Sequence, residues 1–367
     1  MRLSVISFTA RGIELSLNIQ KALEPEMEIT VYTKHKASSN LKHTAGTDLD
    51  RDKNPGDLDI FYVKESLSQW TGEQFQGQKA LLFIGACGIA VRAIAPFVRD
   101  KLLDPPVLVM DEAGRYVIPV LSGHFGGANE LAKRLAERTG AAAVITTATD
   151  VNGLFAVDVF ARKNGLAVCN RSGIETVSSA VLAGEEVTIA VAGICNGKPP
   201  KELTLVSYPV TKRVSVIVSP FMEDTDKADL QLCPKAYLLG IGCRRGKSLQ
   251  EIEEAVEKQL KKVKIRREAL SAIASIDRKK EEAGLLEYAD KYHLPFHTFS
   301  EDELKSIGGS FSSSSFVLEQ VGVDNVCERA AMAACKEGGR LVSGKYAENG
   351  ITIAIAEEKW SVTFDEA

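Results

Sequence analysis

The chain has 367 residues, 45% apolar and 26% charged, with a formal net charge of −4. That length exceeds one ordinary hydrophobic core, so two or three globular domains are expected. A net negative chain lacks the cationic face that nucleic-acid and lipid-surface binders need, which sets both partner classes aside.

The opening MRLSVISFTARGIEL carries no secretory pattern, and no run of about 18 uncharged apolar residues occurs. A soluble, cytoplasmic protein with no membrane contact is the expectation. Seven scattered cysteines (Cys87, Cys169, Cys195, Cys233, Cys243, Cys327, Cys335) include no CxxC pair, as expected of reduced thiols rather than disulfides or a zinc site.

In chain order, RLSVISFT, EITVYT, KALLFIG and PPVLVM are short apolar runs that predict strands. ESLSQWTGEQF and GIAVRAIAPFV carry helical spacing. DEAGRYVIPVLS reads as a hairpin turning at Ala113-Gly114, and ELAKRLAERTGA as a helix. AAAVITT, EVTIAVAG and RVSVIVS continue as strands, AVDVFARKNG and GIETVSSAVLAG alternate with them, and CNGKPPKEL reads as a surface loop. PFMEDTDKADLQLCPK breaks the alternation with acidic residues and prolines, and reads as a linker.

Beyond it AYLLGIG predicts a strand and SLQEIEEAVEKQLKK a helix, whose start Ser248 and Glu251 fix as a capping box. ALSAIASI predicts a strand and DRKKEEAGLLEYADKY a helix. SEDE at 300–303 repeats the capping signature. VDNVCERAAMAACKEG predicts a helix reaching Gly338-Gly339, and the chain closes in a hairpin around Asn349-Gly350. The fold class is therefore α/β. N-terminal (1–138) and central (139–222) regions with largely parallel sheets are joined by a linker (223–234) to a C-terminal α/β domain (235–360).

Three strand–glycine–helix junctions carry candidate chemistry: FIGACGIAVRAIAP, VLSGHFGGANELA and LLGIGCRRGKSLQE. Such junctions mark the carboxyl edge of an α/β sheet, where helix amino ends favour anionic groups. Gly85, Gly88 and Arg92 are the candidates in the first. Gly123, Gly126, Gly127 and Asn129 belong to the second, and Gly242, Arg244, Arg245 and Lys247 to the third. Thr147 and Asp150, in TTATDVNG, form a fourth strand end; a turn in which Asp and Asn cap the next helix is the plainer reading there. None of the junctions is a P-loop, and the glycines at 240, 242 and 246 are out of dinucleotide register. Arginine forks at such loops suit carboxylates.

His124 is either a structural loop residue or a general base. Ser122 lies nearby, and Asp111 and Glu112 at the other end of the hairpin are candidate orienting carboxylates. His293 and His297, separated by a proline, do not form a helical metal pair, and His35 and His43 lie in polar sequence expected to be solvated. Cys87 and Cys243, in glycine loops, are candidate low-pKa thiols without a local histidine partner.

GACGIAVRAIAP, VLVMDEAGRYVIPVLSGHFGGANELAKRLA and AVITTATDVNG together resemble the N-terminal and central regions of the cobalamin-biosynthesis family called CbiG. GIGCRRGKSLQEIEEAV, AIASIDRKKEEAGLLEYA and NVCERAAMAA resemble its C-terminal domain. The resemblance spans most of the chain, in order. It implies a cobalt-precorrin-5A hydrolase of the anaerobic route to vitamin B12. Such an enzyme opens the lactone between the ring-A acetate and C20, and releases acetaldehyde to give cobalt-precorrin-5B.

On that resemblance the substrate is a flat cobalt corrinoid rimmed with carboxylates, for which Arg92, Arg244, Arg245 and Lys247 are candidate clamps. The cobalt arrives within the substrate, so neither a cofactor nor a protein metal site is expected. His124, aided by Glu112 or Asp111, would activate water, and the Gly126 and Gly127 N–H groups would hold the oxyanion. A homodimer or transient contacts with other pathway enzymes are the expected protein partners. A non-catalytic corrinoid carrier is the alternative from a different class, and the glycine loops alone also suggest a tetrapyrrole methyltransferase.

Overall fold

The computed structural model describes residues 2–24, 26–36, 60–313, 322–336 and 338–365, so His43 lies outside the described residues. It divides into two compact units, Met1–Val159 and Phe160–Ala367.

Unit 1 is built on one seven-stranded sheet in the order β3-β2-β1-β4-β5-β6-β7. Its elements in chain order are β1 (Arg2–Ser7), α1 (Ala10–Leu23), β2 (Glu28–Thr33), β3 (Ile60–Tyr62), α2 (Leu67–Gln76) and β4 (Ala80–Ile84). They continue with α3 (Cys87–Ile94), β5 (Val107–Met110), β6 (Tyr116–Leu121), α4 (Ala128–Thr139), β7 (Ala142–Ala143) and α5 (Ala148–Val151), and α6 (Val157–Lys163) begins at the unit's end. β4 is buried at all five positions, as a parallel strand covered by helices on both faces must be. One core joins β1 and β2 to α1 and α4; the other joins the opposite sheet face to α2 and α3.

Strand direction decides where the loops emerge. β1 to β5 run parallel, but the predicted hairpin turns the chain round, so that β6 pairs antiparallel with β5, Val107 opposite Leu121. β7 then runs parallel to β6 after the α4 crossover. The carboxyl ends of β6 and β7 therefore lie at the edge where β1, β4 and β5 begin. The first two glycine junctions each lie at the carboxyl end of their own strand, as expected, but on opposite edges of the sheet, because a tight hairpin must reverse direction. Of the predicted strand AAAVITT only Ala142–Ala143 pairs; the rest leaves the sheet to reach α5.

Unit 2 contains two five-stranded sheets. The first holds β8 (Leu166–Val168), β9 (Val187–Val191), β11 (Leu203–Val206), β12 (Val214–Val218) and β13 (Ala228–Pro234), with α7 (Ser172–Ala183) between β8 and β9 and β10 (Ile194–Asn196) between β9 and β11. β13 corrects the linker reading of 223–234: it pairs on both sides, parallel to β12 and antiparallel to β8, and six of its seven residues are buried. Its continuous buried run from Leu230 to Pro234 outweighs the acidic run before it. The boundary expected at 138 also moves, since β7 and α5 belong to unit 1.

The second sheet runs β16-β15-β14-β18-β17. Its elements are β14 (Tyr237–Cys243), α8 (Leu249–Val263), β15 (Leu270–Ile276), α9 (Ala283–Lys291), β16 (Phe296–Phe299), α10 (Glu301–Ser306), α11 (Cys327–Ala334), β17 (Arg340–Glu348) and β18 (Ile351–Glu357). A final strand, β19 (Ser361–Thr363), returns to pair with β10. Both predicted capping boxes are present, at Ser248/Glu251 and Ser300/Glu303. The closing hairpin turns at Asn349 and Gly350, both at positive φ. α11 ends at Ala334, short of the glycines, where Cys335 is already extended.

Gly240, the first glycine of GIGCRRG, is a packing glycine. A Cβ there would lie 1.8 Å from the Cys327 carbonyl oxygen and 2.8 Å from the Ala331 nitrogen, so only glycine lets α11 approach β14. The buried Glu328 of the same helix accepts the N–H of Ser312 (2.8 Å) and of Lys345 (2.6 Å) and the Asn325 side-chain amide (2.7 Å). That part of NVCERAAMAA anchors the fold.

Candidate functional site

The loop between β6 and α4 carries a densely connected polar cluster. Ser122 adopts positive φ (55°) and its hydroxyl donates to the Asp104 carbonyl at 2.8 Å, which fixes the start of the loop. Gly126 folds tightly back on it: a Cβ would stand 2.4 Å from Ser122 Cβ and 2.7 Å from its carbonyl oxygen. Ser122 thereby holds the entry to the loop.

His124 projects from this loop and is met by carboxylates on both ring nitrogens. Nε2 lies 2.9 Å from Asp150 Oδ2 and Nδ1 lies 3.3 Å from Asp158 Oδ2. The Thr149 hydroxyl is 3.0 Å from Nε2. Asn129 Nδ2 donates to Asp150 Oδ2 and to Thr147 Oγ1, both at 2.9 Å, and Lys133 Nζ reaches Asp150 Oδ1 at 3.0 Å. Side-chain exposures of 16% for His124, 20% for Asp150 and 15% for Asp158 leave the cluster reachable but largely dry.

The electrostatics follow from the contacts. The Asp158 carboxylate first, then Asp150, raises the pKa of His124 above its ordinary 6.5 against the opposing effect of burial. Burial pushes the Asp150 carboxyl up, but the bonds from Lys133, Asn129 and His124 outweigh it and hold the group below 3.8. Two carboxylates against one ring thus favour its protonated form over the neutral one.

Several other expectations change with the geometry. Asp111 and Glu112 lie beyond the far end of β6, roughly 20 Å away for six residues at about 3.3 Å each, so neither orients His124. Asp111 holds the hairpin turn, accepting N–H groups of Ala113, Arg115 and Tyr116 at 2.7–2.9 Å. Glu112 accepts the Thr9 hydroxyl at 2.8 Å. The N–H of Gly127 is spent on the His124 carbonyl, and those of Ala128 and Asn129 on Ser122 and Gly123. That leaves the Gly126 N–H, without a hydrogen bond among the described residues, as the remaining oxyanion donor. Asp150 lies inside α5, behind Thr147 as N-cap, and is not itself a cap.

Gly85 and Gly88 lie at the opposite edge of the sheet, where α3 starts between β4 and β5 and the strand order reverses around β1 and β4. Arg92 is exposed on the last turn of α3 and forms no salt bridge among the described residues. In unit 2, Gly242 abuts the Thr352 hydroxyl. The α8 amino end is filled by its own capping box, and Lys247 is paired with Glu251 at 2.6 Å. Arg244 and Arg245 remain exposed and without a salt bridge among the described residues.

All seven cysteines are free, and burial pushes the Cys243 thiol up, against its expected activation. His35 is half-buried rather than fully solvated. No described helix is long and apolar enough to cross a membrane, and no described cluster of His, Cys, Asp or Glu is arranged to hold a metal.

Asp158 is the member of this cluster that the sequence alone did not single out. It stands 34 positions from His124, in the apolar run LFAVDVFA. A lone carboxylate in such a run needs a partner, and that cost was the available signal.

Three family models match this chain in order: Cobalamin synthesis G N-terminal over 69–150, Cobalamin biosynthesis central region over 155–234, and Cobalamin synthesis G C-terminus over 237–356. The chain is 35% identical to the cobalt-precorrin-5A hydrolase of Salmonella typhimurium over 77% of this chain and 83% of that one. It is 31% identical to the protein of that name from Priestia megaterium over 96% of this chain and 94% of that one. A relative from Methanocaldococcus jannaschii, named probable cobalt-precorrin-5A hydrolase, is 30% identical over 77% of this chain and 87% of that one.

Proposed function

The chain belongs to the cobalamin synthesis G family, and from that premise we infer that it hydrolyses cobalt-precorrin-5A in cobalamin biosynthesis. The observation that carries the reading is coverage: two relatives with that activity in their names match 77% and 96% of this chain. The candidate chemistry fits a hydrolase, because His124 and Asp150 form a half-dry proton-handling site inside the N-terminal family match.

The reaction adds water across the lactone between the ring-A acetate and C20, and the two-carbon fragment then leaves as acetaldehyde. The acyl carbon gains the hydroxyl of water. The C20 oxygen takes the other proton; that hydroxyl then gives its proton to a base as C=O forms, the carbon–carbon bond joining C20 to the macrocycle breaks, and the electron pair of that bond passes to the conjugated macrocycle. His124 and Asp150 handle the proton at the lactone, and the Gly126 N–H faces the developing oxyanion. The cobalt enters as part of the substrate. Exposed arginines such as Arg244 and Arg245 suit the peripheral carboxylates of such a macrocycle. The protein acts in the cytoplasm, with a second copy of itself or neighbouring enzymes of the route as its protein contacts.

Purified protein incubated with excess cobalt-precorrin-5A tests the reading by the count of acetaldehyde released per chain. A hydrolase gives many; a carrier gives at most about one, and that count would end the assignment.

A further inference from the structure

We infer that Asp158 is a positioning residue for this reaction: it holds His124 with a proton on each ring nitrogen, so that the ring serves as the acid of the site. The inference rests on the hydrolase reading and concerns the direction in which its proton moves.

Geometry carries it. Asp158 Oδ1 accepts the N–H of Val159 at 3.0 Å, which turns Oδ2 towards His124 Nδ1 at 3.3 Å. Val157 beside it is 1% exposed, and the Asp158 side chain itself is 15% exposed, so its charge has little water to lean on. An acceptor fixed at Nδ1 demands a proton there. The other nitrogen also faces acceptors, Asp150 Oδ2 at 2.9 Å and the Thr149 hydroxyl at 3.0 Å.

Among the described residues, the charged groups that act on the ring or on its carboxylate partners are Lys133 from α4, Asp150 from α5 and Asp158 from α6, with the neutral Asn129 and Thr149 beside them. Two carboxylates against one ring favour the imidazolium, and the upward shift of its pKa agrees.

The proton account closes. The Nε2 proton is already shared between two acceptors, so a substrate oxygen entering on that side replaces one of them without unseating the ring. As water forms its bond to the acyl carbon and the acyl–oxygen bond breaks, the leaving oxygen takes the Nε2 proton. The remaining proton of that water returns to Nε2. The Nδ1 proton stays on the ring, facing the Asp158 carboxylate, throughout and keeps the ring oriented, the role an orienting carboxylate plays for a catalytic histidine. No oxidant or further reactant is needed.

Asp158→Asn keeps the shape and removes the charge. Ring NMR of labelled histidine, assigned with His124→Gln, should show His124 titrating at lower pH in Asp158→Asn than in the unaltered protein. The pH profile of kcat should fall on its alkaline side in the unaltered protein. In Asp158→Asn that fall should move to lower pH, with kcat at pH 8 reduced roughly 100-fold and KM changed less than about threefold. Asp158→Glu should recover part of the loss. An unmoved ring titration in Asp158→Asn overturns the inference. So does a kcat of the unaltered protein that rises with pH through the His124 titration, a measurement that stands even where a variant fails to fold. Absence of acetaldehyde turnover would instead remove the hydrolase reading and leave the ring titration as an independent result.

Discussion

Replacing His124 with alanine removes the cation on which two carboxylates converge. Each charge-assisted contact contributes about 1.5–3 kcal/mol when fully dry, so the pair sums to about 3–6 kcal/mol at most. Asp150 and Asp158 retain 20% and 15% exposure, and water entering the gap returns part of that. A local loss of about 2–3 kcal/mol remains.

The local probe is hydrogen exchange at Gly127, Ala128 and Asn129, whose N–H groups close the loop onto the carbonyls of His124, Ser122 and Gly123. At about 1.4 kcal/mol per tenfold, protection at these amides should drop roughly 30- to 150-fold at pH 6. His124 has a raised folded pKa, so its contribution is fully present below the unfolded value near 6.5 and is lost as pH rises through the folded value. The difference between the alanine variant and the unaltered protein should therefore shrink above pH 7. A difference that stays constant from pH 6 to pH 9 would refute the imidazolium account.

Two further outcomes follow from the geometry. Gly240→Ala pushes a methyl group to 1.8 Å from the Cys327 carbonyl, backbone against backbone. Unit 2 should lose about 3 kcal/mol or more, seen as a drop of roughly 6–12 °C in Tm, whereas Gly308→Ala, with nothing within 4 Å, should leave the melt unchanged. Arg244→Ala with Arg245→Ala removes two exposed guanidinium groups that hold nothing in the described fold. KM for the corrinoid should rise roughly 10- to 100-fold with Tm unmoved, and an unchanged KM would remove this loop from the substrate contacts.

What could be read from the sequence was local. Ser248 with Glu251, and Ser300 with Glu303, announce helix starts within four residues, and Ala113-Gly114 and Asn349-Gly350 announce turns, because capping and turn chemistry act over that range. His124 and Asp150 were each legible as candidates, but not as partners. Their meeting requires β6 and β7 to run parallel with α4 crossing between them, a consequence of pairing that no short stretch encodes.

The hairpin misled in a different way. It brought Asp111 and Glu112 near His124 in sequence, while an intervening strand holds them at opposite ends. Asp158 went unseen because a single aspartate among valines looks like a helix start until its partner is known. The linker expectation failed at β13 because the acidic residues preceding the strand masked the continuous buried run from Leu230 to Pro234 inside it.

The central claim is that lactone chemistry occurs at the carboxyl ends of β6 and β7. The most direct measurement is the single-turnover rate of acetaldehyde release from cobalt-precorrin-5A by His124→Gln beside Glu112→Gln, at saturating protein. The account predicts at least about a hundredfold loss for His124→Gln and a rate within a few-fold of the unaltered protein for Glu112→Gln. A His124→Gln rate equal to that of the unaltered protein, or a larger loss in Glu112→Gln, would contradict it.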